Sequence, residues 1–184
     1  IDDNNTLPKE GRVTTLRDAL NRYYAVNNEL WRFYESGAGS SYSRRTHRPW
    51  PNANTSWYVN EVPWSVYTSN GITDTFAEYG DAAIVVISRM GAEDSDVATT
   101  TTEDPSKHML ELSDNELDLI DLAIDTFGSG KVTVLLNTLN AMEVGPLMER
   151  DVSVMWIGAG GQQGILAIPG LLNGTYNPSG RLVD

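Results

Sequence analysis

Glu93, Asp94 and Asp96 place three carboxyl groups within four residues, shortly after an apolar run, IVVIS, and Arg89. Carboxyls this close repel one another, and burial would raise the pKa of one of them and keep it protonated. An acid that keeps its proton can deliver it to a leaving group, which is general acid catalysis. The same three residues also fit an ordinary solvated loop, where Asp and Glu are usually found.

Two other stretches could hold a ligand. WIGAGGQQG, residues 156–164, sets a glycine cluster between a strand-like and a helix-like segment. A dinucleotide fingerprint needs glycines at its first, third and sixth places, so that backbone can approach a pyrophosphate. Counting from Gly158, the sixth place falls on Gln163 and Gly164 arrives one residue late. Close packing of a helix start against a sheet explains the glycines better, with a nucleotide or anion site at the helix N-terminus as the alternative. The second stretch, residues 36–70, is rich in Ser, Gly, Asn and Pro and contains Trp50, Trp57 and Trp64. Without a sustained period it reads as a long ordered loop. Its indoles either face a sugar ring or anchor the loop to the domain or a neighbour.

The elements that must position these groups alternate in type. Residues 14–34 carry apolar positions at helical spacing, Leu16, Ala19, Leu20, Tyr23 and then Leu30, Trp31 and Tyr34, with a break near Asn27-Asn28. A short helix is expected over 73–79. Residues 82–88 form a continuous, β-branched run, which predicts a strand buried on both faces. Ser113-Asp114-Asn115-Glu116 is a capping box ahead of Leu117, Ile120, Ala123, Ile124 and Phe127, and Gly128 and Gly130 offer positive-φ stops. Strands over 132–136 and 152–156, a helical turn over 143–149 and a helix over 161–172, with Pro169 near its end, complete the pattern. Strands alternating with helices at this spacing predict a parallel sheet covered by helices, with right-handed crossovers. The loops leaving the carboxyl ends of such strands line the crevice where chemistry is done. The acidic loop is one of them.

Composition narrows the classes. With 184 residues, 40% of them hydrophobic, the chain can bury one substantial core and reads as a single domain over 1–184. A net charge of −12 leaves no basic stripe to neutralise phosphates, which argues against nucleic-acid or anionic-membrane partners and leaves neutral ligands open. With no cysteine, and with His47 and His108 far apart in the chain, no metal or other cofactor is implied. No apolar run approaches the roughly 18 residues of a membrane span. Lack of cysteine suits a reducing cytoplasm without demanding it. The chain opens on Ile1 and closes on Asp184 behind an apolar pair, so it reads as a piece of something longer.

WIGAGGQQGILAIPGLLNGTYNPSGRL is similar to the glycoside hydrolase family 3 pattern, in which a tryptophan, a Gly-Gln-Gly-rich turn, an Ala-Ile helix and a closing Asn-Pro-Ser-Gly-Arg-Leu occur together. ISRMGAEDSD resembles the same family's strand followed by Arg-x-Ser-Gly-Glu-Gly-x-Asp, with Arg89, Glu93 and Asp96 in register. LSDNELDLIDLAID resembles its next helix, and VTVLLNTLNAMEV its next strand and turn. The likeness is nearly continuous over 81–182. NNELWRFYES and NEVPWSVYT extend it upstream, toward the branch whose α/β domain precedes its barrel.

The resemblance implies a three-layer α/β/α sandwich with a mostly parallel sheet, the non-barrel domain of a β-glucosidase-like retaining enzyme. It implies a partner, a (β/α)8 barrel in the same or another chain, which supplies an aspartate nucleophile and for which about 250 residues are needed. It places the general acid/base on Glu93, and makes Asp96, Arg89, Trp57 and Trp64 candidates for binding a β-glucoside or oligosaccharide. Gly91-Ala92 stands where the family has Ser-Gly, and Asp94 where it has Gly, which makes this loop stiffer and more acidic. The strand and Gly-Ser-rich loop expected after Asn5 and Leu7-Pro8 are missing: either residues are lost there or this variant lacks its first strand, leaving an exposed edge. Without the barrel and its nucleophile, the chain alone is expected to be inactive. The alternative is a carbohydrate-binding or structural domain without catalysis, resting on the tryptophan loop.

Overall fold

The computed structural model describes residues 13–42, 60–89, 99–100, 104–158, 160–161 and 163–180. Glu93, Asp96, Trp50 and Trp57 lie outside the described residues, as does the lead-in through Asn5 and Leu7-Pro8. The chain divides into two compact units, residues 27–159 and residues 1–26 with 160–184.

The larger unit is built on three parallel strands in the order β1-β2-β3: β1 is Ala83–Ser88, β2 Val132–Asn137 and β3 Ser153–Trp156. Val85 pairs with Val134 and Leu136 with Trp156, so all three strands run out at one edge. The predicted strands are present almost to the residue. The central strand β2 is covered on both faces, with Val134 and Leu135 inaccessible. In β1 the expectation of burial on both faces is corrected: Val85 and Ile87 are buried, but Val86 between them is 36% exposed. Among the described strands β1 is an edge, and the alternation of side chains along a strand turns Val86 to the less covered face.

The long helix α4, Asp114–Phe127, lays Ile120 and Ala123 on β1 and β2, in one core cluster with Val85, Ile87, Val134 and Leu136. Its capping box is formed: Ser113 Oγ accepts from the Glu116 N–H at 3.2 Å, and Glu116 Oε2 accepts from the Ser113 N–H at 2.8 Å. Gly128 ends the helix at φ 85° and ψ 143°, a conformation open almost only to glycine. Gly130, expected to share that role, instead lies in the short 3₁₀ turn Ser129–Lys131 without a positive φ. The turn expected near 143–149 is helix α5, Gly145–Met148.

A second cluster, Phe33, Val62, Tyr67, Ile72 and Phe76, gathers the segments before the sheet. Helix α2, Asn28–Glu35, starts at the predicted break because Asn27 caps it, its Oδ1 accepting from the N–H groups of Glu29 and Leu30. The Asn27 amide also donates to Thr75 Oγ1 at 2.7 Å, which pins the helix start to the 3₁₀ segment Thr73–Tyr79. The expected loop over 36–70 is partly regular. Ala38–Ser41 forms a 3₁₀ turn and Trp64–Ser69 forms helix α3 after Pro63. A helix of six residues is too short to show a repeating period, so its only mark in the sequence is the i, i+3 pair Trp64 and Tyr67.

In the smaller unit, α1 (Leu16–Leu20) has its own capping box on Thr15 and Asp18, and Tyr24 donates its hydroxyl to the Pro169 carbonyl at 2.9 Å. The helix expected over 161–172 is shorter: a 3₁₀ turn, Gly164–Ala167, leads into α6, Ile168–Leu172. Pro169 therefore sits in the first turn of the helix, where a missing N–H costs nothing, and not near the end. No helix among the described residues is long and apolar enough to cross a membrane.

Candidate functional site

The parallel register brings the carboxyl ends of the strands together. Ser88 faces Asn137 across β1 and β2, and the Asn137 amide donates to Ser88 Oγ at 3.3 Å. β3 ends beside them at Trp156, whose indole N–H donates to the Thr138 carbonyl at 2.7 Å. Trp156 is 51% exposed, and Leu139 is exposed as well. The glycines after Trp156 lead to a four-residue 3₁₀ turn and not to the α-helix N-terminus that a pyrophosphate cradle requires.

Arg89 continues β1 by one residue, its N–H donating to the Asn137 carbonyl at 3.3 Å. Its guanidinium turns inward. Nε donates to the Met109 carbonyl at 2.6 Å, Nη1 to the Ser88 carbonyl at 3.0 Å and to Glu116 Oε1 at 2.6 Å, and Nη2 to the Glu111 carbonyl at 2.7 Å and to Glu116 Oε2 at 2.7 Å. The pair is nearly inaccessible, with side chains 3% and 4% exposed. Every guanidinium N–H is thus committed inside the domain, and a planar bidentate pair of this kind is the strongest form of charge-assisted hydrogen bond. Glu116 serves two ends at once, capping α4 and neutralising Arg89. The capping box was legible in sequence; the arginine as its third member was not, because the two residues are 27 apart in the chain.

Trp64, expected to meet sugar, lies partly buried with its ring stacked on Tyr67, centroids 5.6 Å apart at 30°. Glu93, Asp96 and Trp57 belong to the segments outside the described residues, so of the expected site residues the structure describes Arg89 and Trp64.

A cluster that sequence reasoning missed lies under α2 and α3. Glu61 Oε1 accepts from the Tyr34 hydroxyl at 2.9 Å, the Tyr67 hydroxyl at 2.7 Å and the Val62 N–H at 2.7 Å. The two phenols also hydrogen-bond each other. Burial pushes the Glu61 carboxyl above its ordinary value, opposed by the donors from Tyr67, Val62 and Tyr34. Burial, and then the Glu61 charge, raise both Tyr34 and Tyr67. The signal available in sequence was an acid set directly before Val62-Pro63-Trp64, an apolar setting that calls for a partner. Among the described residues no three His, Cys, Asp or Glu side chains are placed to hold a metal ion.

A parallel α/β sandwich whose strands all release their loops at one edge, with that edge tied by a buried Arg-Glu pair, defines a domain that presents loops from a rigid frame. Residues 12–184 match the family model described as the glycosyl hydrolase family 3 C-terminal domain, and the chain belongs to that family. In fold it is similar to a solved structure of β-glucosidase 3B from Thermotoga neapolitana in complex with glucose, with a TM-score of 0.69 and 24% sequence identity. The match covers 99% of this chain and 24% of that one, so the chain spans about a quarter of the length of that enzyme. A comparison with curated proteins finds no match.

Proposed function

We propose that the chain is the α/β sandwich half of a retaining β-glycosidase, and that it delivers the general acid/base from Glu93 to a sugar held against a barrel domain. The observation that carries the reading is the family match over 12–184, with β1 ending at Ser88 and Arg89 on the carboxyl edge. Glu93 follows that edge by four residues in the chain. Retaining hydrolysis needs two carboxyl groups about 5 to 5.5 Å apart, one attacking the anomeric carbon and one protonating the departing oxygen. On this reading the barrel, in the same or another chain, brings the nucleophile, and Glu93 first gives its proton to the leaving group and then takes one from water. Asp96 shapes the same loop or meets the sugar, and Trp57 and Trp64 are further candidates for contact with it. The substrate class is a terminal β-D-glucoside or a short oligosaccharide.

The test pairs the chain with a family 3 barrel and compares Glu93→Gln and Glu93→Ala with the native residue. Both variants should lose hydrolysis of an unactivated alkyl glucoside, and azide should restore turnover of an activated aryl glucoside by the Ala variant, with glycosyl azide as product. Native-rate hydrolysis of the alkyl glucoside by Glu93→Gln would remove the assignment. Sugar affinity unchanged by Glu93→Ala, with no hydrolysis beside any barrel, would favour a non-catalytic binding domain.

A further inference from the structure

We propose that Arg89 and Glu116 are positioning residues for the proton donor: their buried pair clamps both ends of the segment between β1 and α4, and Arg89 makes no sugar contact of its own. The proposal deepens the reading above and rests on Glu93 as the acid.

The five acceptors of the guanidinium divide between the two ends of that segment. The Ser88 carbonyl belongs to its start, at the end of β1; the carbonyls of Met109 and Glu111 belong to its return, and both Glu116 oxygens to the first turn of α4. The start is fixed to the neighbouring strand by the Arg89 N–H on Asn137. Glu116 is fixed in turn by the Ser113 N–H at 2.8 Å, so the clamp and the helix cap share one carboxylate. The return is further braced: Thr100 and His108 form an antiparallel bridge, and Lys107 Nζ reaches Asp114 at 2.5 Å. A chain held at both ends by a rigid planar fork samples fewer conformations than one held by the strand alone. A general acid needs its proton within hydrogen-bond reach of the leaving oxygen.

Lysine cannot reproduce this. Its ammonium has three donors radiating from a point, where the guanidinium has five in a plane. Arg89→Lys keeps the charge beside Glu116 and so avoids an unpaired buried carboxylate, but it loses the fork that joins Met109, Glu111 and Glu116. Glu116→Gln keeps an acceptor for the cap and loses the bidentate charge.

The experiment uses two readouts. With the chain paired to a family 3 barrel, kcat/KM is measured on an alkyl glucoside, whose leaving group needs a proton, and on 2,4-dinitrophenyl glucoside, whose leaving group does not. Misplacement of an acid by about 1 Å costs about a hundredfold. Arg89→Lys and Glu116→Gln should therefore lose about that factor on the alkyl glucoside and far less on the dinitrophenyl glucoside, as the Glu93→Gln variant does. Equal losses on both substrates would mean only that less protein is folded, and no loss on either would mean that the pair is dispensable; each overturns the proposal. Amide hydrogen exchange on the chain alone separates this result from failure of the Glu93 reading. In both variants the amides of Met109 and Glu111 should exchange at least tenfold faster while those of Val134 and Leu135 keep their protection. Unchanged exchange at Met109 and Glu111 would overturn the clamp even if Glu93 proved to be the acid. Faster exchange there, with Glu93→Gln fully active, would leave the clamp standing and remove the reading on which its catalytic role rests.

Discussion

Tyr67→Phe should destabilise the larger unit by an amount that depends on pH. The substitution keeps the ring, which packs on Phe33 with centroids 4.8 Å apart and on Trp64, and removes only a hydroxyl from a side chain that is 1% exposed. No cavity larger than the hydroxyl's own is made. What is lost is a 2.7 Å donation to Glu61 Oε1 and the bond between the two phenols, while the Tyr34 hydroxyl at 2.9 Å and the Val62 N–H at 2.7 Å remain. A hydrogen bond to an ionised group contributes about 1.5–3 kcal/mol and one to a neutral group about 1 kcal/mol. The carboxyl of Glu61 is raised above its ordinary value of 4.5, chiefly by burial. A raised carboxyl binds its proton more tightly in the folded state, so its contribution is fully present below the unfolded value and is lost as pH rises through the folded one. Removing Tyr67's donor raises that carboxyl further. The variant should lose about 1 kcal/mol at acid pH and about 2 kcal/mol once Glu61 is ionised. For a chain of this size the larger loss corresponds to a fall in Tm of about 4–8 °C. Urea titrations followed by circular dichroism at a series of pH values would show a shift in midpoint without a change in slope. A loss below about 0.5 kcal/mol throughout, or one that is largest at acid pH, would refute the reasoning.

Three further outcomes follow from the structure. Glu61→Gln, which keeps an oxygen to accept from both phenols, should flatten the pH dependence of stability and leave the variant more stable than the native chain at alkaline pH; a steeper dependence in the same urea titrations would contradict this. Gly128→Ala should cost about 1–3 kcal/mol by calorimetry, entirely through backbone strain, because a side chain at φ 85° meets nothing within 4 Å. Arg150 holds Asp121 at 2.6 and 2.8 Å in a pair whose side chains are 23% and 49% exposed. Arg150→Ala should therefore cost under about 1 kcal/mol, and the cost should shrink with added salt; a salt-independent loss of about 2 kcal/mol would count against it.

The elements whose order is set locally were legible before the structure. The apolar run at 82–88 forms its strand, the serine three residues ahead of a glutamate at 113 and 116 forms its capping box, and the helical pattern breaks at Asn27 as expected; only the burial of both faces of β1 fails, at Val86. The misjudged elements are those in which a neighbour decides. Helix α3 is too short to announce itself by period and exists where Trp64 and Tyr67 can reach the second cluster. Pro169, expected near the end of a helix over 161–172, lies in the first turn of α6 because the residues before it wind into a 3₁₀ turn.

The site divides in the same way. Sequence by itself determined the family register: Arg89, Glu93 and Asp96 in one short run, the capping box that follows and the closing Asn-Pro-Ser-Gly-Arg-Leu, all of which rest on residue type and spacing along the chain. It also determined the charge balance that argues against polyanion partners. Tertiary structure alone decided what Arg89 does. Its five acceptors come from Ser88, Met109, Glu111 and Glu116, and no spacing rule announces that a helix cap and a strand end will share a carboxylate. It alone set Glu61 between two tyrosines 27 and 6 residues away in the chain. A buried charge must find its partners wherever the fold brings them, and that convergence is a property of packing.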